Sequence, residues 1–97
     1  MEKIIKINDS HLNELNILER AYLETTAREN ILNYMLLSNQ KDTERYQEFW
    51  NEYILYLKAY NDIKNEFVLN CINSIVGYPF RGNWTVDFDK KEVILNE

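Results

Sequence analysis

Apolar and polar positions from Tyr46 to Ile75 repeat with a helical rhythm, uninterrupted by Gly or Pro. Set Tyr53 at zero and advance about 100° per residue. Tyr46, Phe49, Trp50, Tyr53, Tyr56, Leu57, Tyr60, Phe67, Val68, Cys71 and Ile75 then fall within about 60° of it. Asn51, Asp62, Glu66 and Asn73 take the opposite side. This spacing predicts one long helix with an aromatic stripe. The rest of the chain has to cover that stripe.

Upstream, Lys3–Ile7 is short and β-branched, which predicts a strand. Asn8, Asp9 and Ser10 are three cap-forming residues in a row. They start a first helix expected from about Ser10 to Leu37. With Tyr22 at zero, its seam gathers Leu15, Leu18, Thr25, Thr26, Leu36 and Leu37, together with His11, Glu29 and Asn33. Ser38–Thr43 is the turn, with Asp42 or Thr43 as the next cap. So short a connection makes the helices antiparallel neighbours. Tyr22 then meets Tyr60, Thr25 meets Tyr56, and Glu29 lies near Tyr53. Lys64 is expected to reach past Leu18 toward Glu14 or Glu19.

Gly77 ends the second helix, with Pro79 just beyond. Trp84–Phe88 alternates as a strand does, Asp89–Glu92 is a polar turn, and Val93–Leu95 returns. This hairpin should pack on Cys71, Ile72 and Ile75, since an isolated hairpin is marginal in water. The fold class read from the pattern is α+β. An antiparallel helical hairpin of two long helices carries a small C-terminal β-hairpin, which the N-terminal strand can join. All 97 residues form a single domain, 1–97.

Composition narrows the function classes. The net charge is −5 and the acids and bases are interspersed, so no basic stripe is available to track phosphates, and nucleic acid is not an expected partner. One cysteine allows no internal disulfide and no multi-cysteine metal site, and it suits a reducing cytoplasm. No apolar run approaches the roughly 20 residues of a membrane span. The N-terminus has no signal-peptide h-region.

Candidate chemistry is thin. His11 and Glu14 stand three residues apart and make at most one edge of a metal site, which needs three or four ligands. Cys71 lies on the apolar stripe, where free cysteine behaves as a small hydrophobe. There is no Gly-rich phosphate loop. The expectation is therefore no catalytic residue, no metal and no cofactor. The aromatic load is the stronger signal. Two Trp, seven Tyr and four Phe exceed what one covering helix requires, so part of it is free to bind a protein. Leu55 and Leu69 point to the back of the second helix. Trp84 stands at a loop-to-strand junction, and tryptophan is the side chain most enriched at binding hot spots. The hairpin has a free edge open to strand addition. Trp84, Asp87, Arg81, Leu55 and Leu69 are the expected protein-binding residues.

One arrangement resembles a family. An opening strand precedes a helix with Leu18-Glu19-Arg20 and a helix with Phe49-Trp50-Asn51-Glu52. Gly82-Asn83-Trp84-Thr85-Val86-Asp87-Phe88, a turn, and Glu92-Val93-Ile94-Leu95 close the chain. This is similar to small accessory proteins of radical-SAM peptide (RiPP) maturation systems, such as the CXXX-repeat peptide modification proteins and the small partners of spliceases. Tyr78-Pro79-Phe80-Arg81 stands where members of the family often carry another aromatic-rich linker. The resemblance implies a cytoplasmic, non-catalytic subunit that binds a radical-SAM maturase or its precursor peptide, with the iron–sulfur cluster and S-adenosylmethionine on the partner. A homodimer is left open. The rival expectation is a phage- or host-encoded acidic inhibitor, an anti-defence protein acting by protein binding. Its charge would mimic nucleic acid, but the interspersed charges offer it no acidic face.

Overall fold

A computed structural model describes residues 1–97. Strand β1 (Glu2–Lys6) leads through a 3₁₀ turn (Asp9–His11) into helix α1 (Leu12–Leu37). Helix α2 (Glu44–Phe67) returns alongside it. A π-helical turn (Val68–Ile72) and a short helix α3 (Asn73–Val76) extend the same rod. Strands β2 (Asn83–Asp87) and β3 (Glu92–Asn96) finish the chain. The three strands form one antiparallel sheet in the order β1-β3-β2. The N-terminal strand therefore does join the hairpin, and it pairs on the Val93 strand. It begins one residue earlier than its composition predicts and ends at Lys6.

Side-chain caps start the 3₁₀ turn and α2. Asn8 Oδ1 accepts a hydrogen bond from the Ser10 amide at 3.1 Å. Thr43 Oγ1 accepts one from the Tyr46 amide at 3.1 Å, which makes Thr43 the cap of α2. Gly77 adopts φ 82° beyond α3, a left-handed conformation that a residue without Cβ takes at little cost. The antiparallel register agrees with the sequence pattern. Thr25 Oγ1 donates to the Tyr56 carbonyl at 3.3 Å, and the Tyr22 and Tyr60 rings lie 6.1 Å apart. Arg28 clamps the pair. Its Nε donates to Glu52 Oε1 at 3.0 Å, Nη1 donates to the Glu24 carbonyl at 2.9 Å, and the guanidinium sits 3.4 Å from the Tyr56 ring centroid.

The buried face of α1 keeps the expected Leu15, Leu18 and Thr25 but departs from the expected one toward its C-terminal end. Leu18, Ala21, Thr25, Leu32 and Met35 are buried, whereas Glu29, Asn33, Leu36 and Leu37 are exposed and Tyr22 is partly so. From Leu18 onward these buried positions, with Arg28 between them, advance by alternating steps of three and four. On α2 the inward positions Tyr46, Phe49, Tyr53, Tyr56, Tyr60, Ile63 and Phe67 do the same. That is the seam of a two-helix coil, whose repeat is nearer 3.5 than 3.6 residues per turn. An ideal wheel drifts off such a seam over several turns. It therefore puts Glu29, Leu36 and Trp50 inside and leaves Ile63 out. Glu29 is solvent-exposed and not set against Tyr53.

The core sits where the helix hairpin meets the sheet. Ile5, Ile7, Leu15, Leu18, Phe67, Cys71, Ile72, Phe80, Val93 and Leu95 form one buried cluster, with Ile75 packed against it. The C-terminal hairpin thus packs on Cys71, Ile72 and Ile75 as the pattern predicts. The π turn explains why Cys71 and Ile72 are both fully buried. Widening one turn advances the phase, so two consecutive residues face the sheet. The loop after α3 folds back, with the Phe80 amide donating to Asn73 Oδ1 at 2.8 Å and the Phe80 ring buried. At Gly82 a Cβ would stand 2.1 Å from the Asn96 carbonyl oxygen, so only glycine allows β2 to start there.

Candidate functional site: a cleft beside a free strand edge

The sheet register identifies which main-chain groups of β2 remain free. The Ile7 amide donates to the Lys91 carbonyl, and Met1 and Glu97 exchange bonds across the same strand pair. Residues of an antiparallel strand point their N–H and C=O alternately to either neighbour. Lys91, Val93, Leu95 and Glu97 therefore serve β1, and Glu92, Ile94 and Asn96 serve β2. The β2 partners of those three are Asp87, Thr85 and Asn83. What remains at the outer edge of the sheet is the N–H and C=O of Trp84 and of Val86.

The side chains of these two residues point inward, to the face shared with buried Leu95 and Val93. Beside them lies a cleft of about 510 Å³, within the range of about 300–1,000 Å³ usual for ligand sites. One wall is the Gly82–Val86 stretch with Phe88. The other is Leu18 and Tyr22 of α1 with Tyr60 and Lys64 of α2. The aromatic contacts order the cleft along its length. At one end the Trp84 ring stacks on Phe67, with centroids 5.4 Å apart and planes at 26°. At the other, Phe88 meets Tyr22 at 5.8 Å, and Tyr22 meets Tyr60. Burial, and secondarily the neighbouring Tyr22, hold the Tyr60 hydroxyl above the ordinary tyrosine range. It stays a protonated donor at neutral pH.

Lys64 lies one helical turn from Tyr60 and one from Phe67, hence midway along the cleft. Its ammonium sits 4.7 Å from the Tyr60 ring centroid. Arg28 pairs with Glu52 and His11 stands beside Glu14, whereas Lys64 pairs with no carboxylate, so it does not reach Glu14 or Glu19 as the pattern predicts. Packing against Tyr60 holds it over the cleft instead.

Trp84 is half-buried, partly core through Phe67 and partly cleft wall. Asp87 is engaged in the turn, its Oδ1 accepting from the Lys90 amide at 3.0 Å. Arg81 is exposed in the loop before β2, outside the cleft lining. Leu55 and Leu69 are 68% and 66% exposed on the back of the helical rod and do not line the cleft. The five expected binding residues are therefore not one site. Tyr22, Tyr60, Lys64, Val86 and Phe88 were absent from that set. The shared face of Trp84, Val86 and Phe88 was readable from their alternation. The docking of the sheet on Tyr22 and Lys64 was not.

The single histidine and single cysteine lie near the same carboxylate. His11 Nδ1 is 3.8 Å from Glu14 Oε2, and neither atom has a hydrogen-bond partner. Burial, and secondarily Glu14, push the Cys71 thiol up to about 11. A nucleophile or metal ligand requires the thiolate, which this site disfavours. No three His, Cys, Asp or Glu side chains are grouped so as to hold a metal ion. No helix is long and apolar enough to cross a membrane. No protein-family model, curated protein or solved structure matches the chain.

Proposed function

We propose that this chain is a non-catalytic protein-binding subunit that takes an extended segment of its partner along the outer edge of β2. The observation that carries this reading is the coincidence of two features. Trp84 and Val86 have unclaimed main-chain groups, and their side chains line an aromatic cleft. Strand addition uses both at once, the backbone for affinity and the pocket for specificity. The family resemblance supplies the partner: a radical-SAM peptide maturase or its precursor peptide, met in the cytoplasm.

The test is co-purification with the product of an adjacent radical-SAM gene and its precursor peptide, comparing Val86→Pro with Thr85→Pro. Proline at 86 removes an amide that no internal partner uses, and edge strands tolerate it. Proline at 85 removes an amide committed to Ile94. Val86→Pro should keep the folded far-UV spectrum and lose the complex, whereas Thr85→Pro should damage the hairpin itself. Unchanged binding by folded Val86→Pro would exclude strand addition. Failure of the wild type to bind either product would remove the maturase from the reading.

A further inference from the structure

Resting on strand addition at β2, we infer that the captured segment is an extended peptide with an acidic side chain flanked at two residues on each side by apolar ones: apolar-x-acid-x-apolar. Side chains of a strand return to the same face every second residue. From Trp84 to Phe88 the cleft is four steps long, about 13 Å at roughly 3.3 Å per residue. Three side chains of an added strand therefore face it. The outer two meet aromatic surroundings, Trp84 at one end and Tyr22 with Phe88 at the other. The middle one meets Lys64, the only charged residue of the cleft.

Lys64 asks for a carboxylate there. It is half-buried, lies against Tyr60, and has no acidic partner. Removing an ammonium from water without an anion is unfavourable, and a carboxylate arriving with the peptide relieves that. The net charge of −5 does not oppose it decisively, because exposed charges beyond a screening length of about 8 Å are attenuated at physiological salt. A second copy of the chain fits less well. Pairing β2 with β2 would bring Trp84, Val86 and Phe88 to the cleft and no carboxylate to Lys64.

The probe is a fluorescein-labelled peptide, Gly-Ser-Leu-Thr-Glu-Thr-Leu-Ser-Gly, followed by anisotropy on the full chain. Three relatives accompany it: Glu replaced by Gln, Glu replaced by Lys, and the Glu peptide N-methylated at alternate residues. The Gln peptide should bind about tenfold more weakly, a difference ordinary for a partly desolvated charge pair. Lys64→Glu should reverse the preference toward the Lys peptide, a reversal that mere loss of stability does not produce. The N-methylated peptide should not bind. Equal affinity for the Glu and Gln peptides, with N-methylation still abolishing binding, would overturn the acidic specificity and leave strand addition standing. Undiminished binding of the N-methylated peptide would overturn strand addition itself. No binding by the Glu peptide would overturn the motif. A concentration-dependent dimer through β2 that the Glu peptide does not dissociate would assign the edge to a second copy and overturn it too.

Discussion

Phe67 joins helix to sheet, 2% exposed and stacked on Trp84. Truncating a core aromatic costs about 3–5 kcal/mol. Phe67→Ala should therefore lower the urea midpoint severely, whereas Leu55→Ala should stay within about 0.5 kcal/mol of wild type. Equal shifts would mean that the back of α2 is covered in solution. Cys71 makes a second prediction through its ionisation. Burial, and secondarily Glu14, hold its thiol up at about 11 in the fold, above the ordinary thiol range. The folded state thus holds its proton more tightly than the unfolded one. That contribution is complete below about pH 8.5–9 and fades as pH climbs toward the folded value. Wild-type stability should decline over that window more steeply than that of Cys71→Ala, as urea titrations at pH 7, 9 and 10.5 would show. Parallel declines would place the loss on other groups, Tyr60 among them.

Between residues, the β2–β3 hairpin depends on close backbone approach. Gly82→Ala would put a methyl 2.1 Å from the Asn96 carbonyl oxygen, against rigid backbone. The strand start must move, and the Thr85 amide should lose its hydrogen-exchange protection before any amide of α1 does. Retained protection at Thr85 would show that the strand ends yield freely. The same elements mark what the sequence made legible. Caps, breakers and turn length were local signals, and Thr43, Gly77 and the Thr25–Tyr56 register followed from them. The α1 face did not, because a wheel at 3.6 residues per turn cannot follow a seam near 3.5. The π turn left one trace, adjacent apolar Cys71 and Ile72 where the alternation of threes and fours breaks. The cleft was not legible, since it exists only once the sheet docks on Tyr22 and Lys64. Sequence spacing carries no information on that angle.

The whole molecule measures 49 × 24 × 23 Å, a rod with its core at one end. The main buried cluster draws on β1 and β3, the start of α1, the end of α2 and the turns that follow it, yet has no member between Leu18 and Phe67. The far half of the helical hairpin is held by a two-helix seam alone: Leu32 and Met35 buried, Phe49 and Tyr53 partly so, and the Arg28 clamp. Isolated helices are marginal without packing, and local stability follows buried contact. Native-state hydrogen exchange should therefore divide the chain. Amides of Ile31–Leu36 and Tyr46–Tyr53 should open at low free energy, while those of Leu15, Leu18, Cys71 and Val93 should exchange only on global unfolding. The outer surface of that arm carries exposed Ile31, Leu36, Leu37, Trp50 and Ile54, more apolar area than a freely opening arm needs. If the arm instead exchanges as slowly as the core, its seam is covered, and protection should fall on dilution as a homodimer separates. Slow exchange independent of protein concentration would mean that the two-helix seam is sufficient by itself. The division into a stable sheet end and a labile arm would then be wrong.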